Sequence, residues 1–331
     1  MYYYLKNLSA TQQIGTLFVV VFGLLLIASI TVFLLSLREH VDDDVSNRWR
    51  TELHSLDVTL RTSWFMVFIF WIGWITGEWL ALVLFAFVSF FSLREFLTLS
   101  PTRRGDHRGL VLAFFVVLPV QYVLVGTEHF DLFTVFIPVY VFLLIPVVSA
   151  LADDPQRFLE RNAKLQWGIM VCIYGMSHVP ALLLLDFPNY DNKAAFLVFF
   201  LVLVVQVCMV AQHLASRRWP HPPMAPHISR SFNWRSCVIG ITVGSLLGAV
   251  LAGITPFVPG QAFALSFIAC LAGTLGHFVM KAIKRDRGVT NWGAHGVSVS
   301  TTGASGLLDR VDALCFAAPV FFHSVRWYFG L

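Results

Sequence analysis

The sequence predicts an all-α fold, a polytopic integral membrane bundle of about ten transmembrane helices. Three observations carry this prediction. Of 331 residues, 57% are hydrophobic and only 13% charged, whereas soluble domains average about 25% charged. The apolar residues gather into repeated runs near the length of about 20 that crosses a hydrocarbon core roughly 30 Å thick. Lys and Arg gather in the connectors between those runs, Arg326 excepted. Such numbers exclude disorder and a water-soluble globular class.

The first run covers 14–36 and is preceded only by Lys6. It is too long for a signal-peptide core and lacks a small-residue cleavage site, so it reads as a retained span. The next two, 64–77 and 79–92, are short and meet at Gly77-Glu78, as a hairpin or as one long tilted helix. The remaining candidates are 109–125, 131–151, 166–185, 194–214, 237–257, 262–280 and 313–330. Basic connectors contain Arg38, Arg48, Arg50 and Arg61, then Arg94, Arg103, Arg104 and Arg108, then Arg157, Arg161 and Lys164, then Arg217, Arg218, Arg230 and Arg235. The last holds Lys281, Lys284, Arg285, Arg287 and Arg310. Between them lie connectors nearly free of Lys and Arg, at 126–131, 186–193 and 255–261. Because positive connectors stay inside, this alternation places the basic ends in the cytoplasm, favours the hairpin and leaves the N-terminus external. Residues 1–63 read as a span with its connector, and 64–331 as the main membrane domain.

With 23 basic and 19 acidic residues the formal charge is +4, and no basic stripe exists; a nucleic-acid partner is not expected. Cys172, Cys208, Cys237, Cys270 and Cys315 lie in or beside apolar runs without Cys-x-x-Cys spacing, so they read as packing residues. His213, His221 and His227 flank a proline-rich connector that reads as a loop in preference to a metal site. Asp42, Asp43 and Asp44 read as a solvated connector, and the aromatic run Trp64 to Trp79 as interfacial and lipid-facing packing.

Chemistry concentrates in 273–312. On a helix, His277, Lys281, Lys284 and Arg285 stand at i, i+4, i+7 and i+8 and share one face at the membrane boundary. Such a cationic face serves inside-positive anchoring, or it binds the phosphate of a lipid or nucleotide. Asp309 and Asp312 stand at i and i+3, able to share a divalent ion or simply to suit a helix start; Arg310 points elsewhere.

The string Lys284-Arg285-Asp-Arg-Gly-Val, a loop, then Gly306-Leu-Leu-Asp309-Arg310-Val-Asp312 resembles the C-terminal motif of the CDP-diacylglycerol synthases, or phosphatidate cytidylyltransferases. That motif reads Ser-x-x-Lys-Arg, then Lys-Asp-x-Gly, then an ending Asp-Arg-x-Asp, which is matched in full. Weaker similarity, as in Phe91-Ser-Leu-Arg-Glu-Phe96, extends over most of the chain. The resemblance implies a helical membrane protein in which the phosphate of phosphatidic acid attacks CTP on the cytoplasmic side, with Mg2+ as cofactor if active. It also implies a phospholipid partner, phosphatidic acid or CDP-lipid, a bacterial inner membrane, and a homodimer or a complex with another membrane lipid enzyme.

Departures from the motif matter equally. The family's Gly-Asp is Gly276-His277 here, its motif serine is Lys281, and its Lys-Asp pair falls on Thr290-Asn291. An upstream Asn-Asp falls on Cys208-Met209, and a phosphate loop ending in an acidic residue ends in Arg235. Losing several charged ligands removes a few kcal/mol of transition-state stabilisation each, while about 1.4 kcal/mol is tenfold in rate. The expectation is therefore a catalytically degenerate relative that binds an anionic phospholipid or CDP-lipid through Lys281, Lys284, Arg285, Arg310 and His277 and acts as partner or regulator of a membrane lipid enzyme, with Asp309 and Asp312 as metal ligands only if a divalent ion binds. The alternatives are an active lipid nucleotidyltransferase with a rearranged site, helped by Asp286, Glu95 or Asp153 and Asp154, and a lipid transporter suggested by His178 and Gln206 within spans.

Overall fold

The computed structural model describes residues 10–36, 60, 61, 64, 67, 68, 71, 77–99, 103–187, 193–229, 231–289, 292 and 306–331. The expectations for Asp42, Asp43 and Asp44, for Arg38, Arg48, Arg50 and Arg230 and for Thr290-Asn291 fall outside them. Among the described residues the long elements are all helices, in chain order α1 (Ala10–Ser36), α2 (Glu78–Thr98), α3 (His107–Gly126), α4 (Phe130–Ala150), α5 (Phe158–Leu184), α6 (Ala195–Arg218), α7 (Trp234–Leu251), α8 (Pro259–Asp286) and α9 (Leu307–Phe329). Eight helices, α1 to α8, are long and apolar enough to cross a membrane. The last, α9, has the length but carries Asp309, Arg310, Asp312 and Arg326. Most of the span expected at 64–77 is outside the described residues. Gly77 precedes α2 at a φ of 81°, a backbone that glycine adopts at little steric cost.

Sequence explains where these helices begin and bend. Asn233 starts α7 by accepting the Ser236 N–H on its side chain at 2.8 Å, which satisfies one of the donors left over at a helix start. Three helices widen into π-helical stretches inside the membrane run, at Ala113–Val117 in α3, Phe136–Val141 in α4 and Ile169–Gly175 in α5. Pro119 follows the first and Pro138 lies in the second. Each proline removes an N–H from the ladder, and a wider turn accommodates the gap.

Lipid supplies no hydrophobic drive for helix association, so packing depends on close approach. Gly240, Gly244 and Gly248 recur every fourth residue and form the seam between α7 and its neighbours α6 and α8. A Cβ on Gly248 would lie 1.8 Å from Ser266 Oγ, and one on Gly244 would lie 2.5 Å from Cys270 Sγ. All five cysteines are buried and free of disulfides, as their apolar setting predicts. The outer surface is apolar, with Phe115 70% and Trp327 85% exposed, as lipid contact requires. Trp64 and Trp71 pack edge-on against Phe22 and Phe18 of α1, while Trp79 is exposed.

The two ends of the bundle differ in chemistry. At the basic end, Arg161 of α5 is buried between Asp106, at 3.0 Å from its Nε, and Asp154, which its guanidinium also meets at the side chain and, at 2.9 Å, the carbonyl. Arg103 donates to Gln156 at 2.6 Å, and Arg108 to the Leu151 carbonyl at 3.1 Å. These contacts join the connector before α3 to the connector before α5. The opposite end is tied by Gln261 to the Tyr328 hydroxyl at 3.0 Å and by Arg326 to Asp131 at 3.4 Å.

Candidate functional site

The sequence-predicted residues converge at the basic end, where the last turns of α8 meet the first turns of α9. Gly276 permits the approach, since a Cβ there would lie 2.2 Å from the Phe316 ring of α9. One residue later, His277 donates from Nδ1 to Asp312 Oδ2 at 2.8 Å. Asp312 is buried, and its other oxygen accepts the Ala313 N–H at 2.7 Å. Two turns on, the buried Lys284 ammonium pairs with Asp309 Oδ1, and Asp309 Oδ2 accepts the Trp292 N–H at 2.9 Å. Four carboxylate oxygens thus face four protein donors.

The head of α9 is held from a distance in sequence. Gly306 precedes it with a φ of 71° and offers no side-chain cap. Glu95 of α2 fills that role, accepting the Leu307 N–H at 3.1 Å and the Leu308 N–H at 2.8 Å while only 2% exposed. Its neighbour Phe96 stacks on the buried Trp292 with ring centroids 5.5 Å apart. Two successive residues of α2 therefore position both the Asp309 partner Trp292 and the start of α9. Composition gives no hint of this role; the signal that points to Glu95 is a carboxylate, beside Arg94, just past the apolar run of α2, because charges close to a span are costly unless used.

The remaining predicted cations are placed differently. Arg285 is exposed and reaches the Ile228 carbonyl at 3.4 Å, tying α8 to the connector before α7. Arg310 lies within electrostatic reach of Glu95. Lys281, half-buried, has Asp312, Lys284, Arg285 and Cys237 in its field, but no hydrogen bond or ion pair among the described residues. Across from it on α6, His213 feels Arg217, Lys281 and His277. His221 and His227 are exposed in the connector after α6.

Mg2+ is the cofactor that the motif resemblance raises, and the oxygens can be tested for it. Among the described residues no three His, Cys, Asp or Glu side chains converge as a metal site. Asp309 and Asp312 are already engaged by Lys284, Trp292, His277 and Ala313. A divalent ion wants several free oxygens at about 2.1 Å, and these described residues do not offer them without displacing Lys284 or His277.

With this geometry in place, comparison with known proteins is informative. The sequence matches the cytidylyltransferase family over residues 58–328, most of the chain. The chain belongs to the cytidylyltransferase family. Among relatives of this cytidylyltransferase-family protein, the uncharacterized protein YnbB of Escherichia coli (strain K12) is 33% identical over 287 residues, 84% of this chain and 91% of that one. A Mycobacterium leprae (strain TN) protein named phosphatidate cytidylyltransferase is 33% identical over 176 residues, 52% of each chain. Family membership and the apolar helices together give a CDP-lipid-synthase-like integral membrane protein.

Proposed function

We propose that this protein recognises the phosphate of an anionic phospholipid or CDP-lipid at the cytoplasmic face of a bacterial inner membrane and acts as the partner or regulator of a membrane lipid enzyme, without ordinary turnover of its own. The observation that carries the proposal is the occupation of Asp309 and Asp312 by Lys284 and His277. Carboxylates engaged in this way are taken by donors of the protein itself, and the positive charge of Lys281 and Arg285 beside them favours an anion. The basic connectors at this end support its cytoplasmic placement.

One observation favours a second reading, an active nucleotidyltransferase with a rearranged site. A histidine whose Nδ1 donates to a buried carboxylate is held in one tautomer and orientation, the arrangement that suits a general base, and His277 on Asp312 has that form. The deciding experiment incubates purified protein with CTP, phosphatidic acid and magnesium beside an active family enzyme, and measures pyrophosphate and CDP-diacylglycerol. The proposal expects neither product. Product formation abolished by Asp309→Asn would overturn it in favour of the second reading.

A further inference from the structure

Lys281 is the cation at this site that the described fold leaves without a partner. It lies one turn after His277 and less than one turn before Lys284 on the same face of α8. Those two neighbours are spent on Asp312 and Asp309. Asp286, the next acidic residue along α8, pairs with Arg287 at 2.9 Å. Asp312 is the carboxylate in the Lys281 field, but its oxygens are taken by His277 and Ala313; a half-buried ammonium with no acceptor for its hydrogen bonds is costly, and an anion that accepts them removes the cost. His213 of α6 lies in the field of both Arg217 and Lys281, which brings α6 to the edge of the same region.

From this we infer that the α6–α8 face around Lys281 is a metal-independent phosphate site, in which a protein ammonium takes the place of a bridging divalent ion. The inference rests on the phosphate-recognition reading above and refines it. Lys281 makes the contact, whereas Lys284 and His277 are positioning residues that occupy carboxylate oxygens of Asp309 and Asp312 and so keep a divalent ion away. The ligand chemistry is a phosphate group, from a lipid headgroup or from a soluble phosphate.

The test uses the full-length protein in phosphatidylcholine nanodiscs, titrated with short-chain phosphatidic acid, inorganic phosphate and CTP, each with excess EDTA and with magnesium. Phosphatidic acid binding unchanged by EDTA is expected, together with about a tenfold loss of affinity in Lys281→Ala and retention in Lys281→Arg. Thermal unfolding of each variant is measured alongside, so that loss of binding is scored only on folded protein. Binding by inorganic phosphate or CTP would assign the source as soluble, and binding by phosphatidic acid alone would assign a lipid headgroup; both support a phosphate site. Binding that requires magnesium, or that survives Lys281→Ala undiminished, would overturn the metal-independent site while leaving phosphate recognition standing. If no phosphate compound binds under either condition, phosphate recognition itself is overturned.

Discussion

Two ionic clusters lie at the basic end of this bundle, and they are built to opposite accounts of charge. Around Arg161, one buried guanidinium faces two carboxylates, Asp106 and Asp154, and the backbone N–H groups of Arg103 and Gln156 donate to the same two carboxylates. At the α8–α9 junction, Lys281 and Lys284 face Asp309 and Asp312, and each carboxylate is taken by a side chain other than Lys281. The first cluster is closed and joins helices; the second leaves a cation over. Proximity of charges therefore does not identify a binding site, whereas a cation left without an acceptor at a membrane boundary does suggest one.

The strongest challenge to this comparison is Arg161→Ala. Removing one member of a buried ion cluster leaves uncompensated charge, typically costing about 3–5 kcal/mol, so a large fall in Tm is expected in detergent. Phosphate affinity of the protein that remains folded should be unchanged; a selective loss of affinity would dissolve the distinction between the clusters. Glu95→Ala is next in size, with about 0.5–2 kcal/mol expected from losing a helix cap. Here the two properties should move together, since Glu95 positions the head of α9 that carries Asp309 and Asp312. Thermal unfolding and phosphatidic acid titration of the same sample read both.

Acid gives the smallest and most selective perturbation. The Arg161 guanidinium bonded to Asp154 holds that carboxyl below its ordinary range. A carboxyl with a lowered folded value contributes stability that is present above its unfolded value of about 3.9 and lost as pH falls through the folded value. A Tm profile taken downward from pH 5 should therefore drop for the wild type and flatten for Asp154→Asn. If the two profiles coincide, the bond to Arg161 contributes nothing to folding.

Much of this architecture was legible in the residues. Runs such as 194–214 and 237–257 map onto α6 and α7 because the bilayer imposes both length and apolarity. His277, Lys281 and Lys284 share a face because a helix repeats every 3.6 residues. Pairing was less accessible: the spacing of Asp309 and Asp312 suits a shared ion, yet which cation meets each depends on how α8 crosses α9 at Gly276. The contact of Glu95 with Leu307 spans 212 residues, and no local pattern encodes a partner that distant. His178, a transport candidate by its place in a span, is buried and hydrogen-bonded through Nδ1 to the Tyr174 carbonyl at 2.7 Å.

The widened turns of α3, α4 and α5 carry a consequence for residue phase. Each inserts extra backbone into a turn, so the helix beyond it is rotated relative to the helix before it. A side chain near one end and another near the far end, assigned to one face by counting in steps of 3.6, stand on different faces once the widened turn intervenes. Deleting a single residue within Ala113–Val117 would remove the extra residue and leave a regular helix whose two ends keep their faces, whereas a deletion elsewhere in α3 would turn lipid-facing positions of the distal segment inward. These helices are thus more tolerant of losing a residue at such a turn than of losing one outside it.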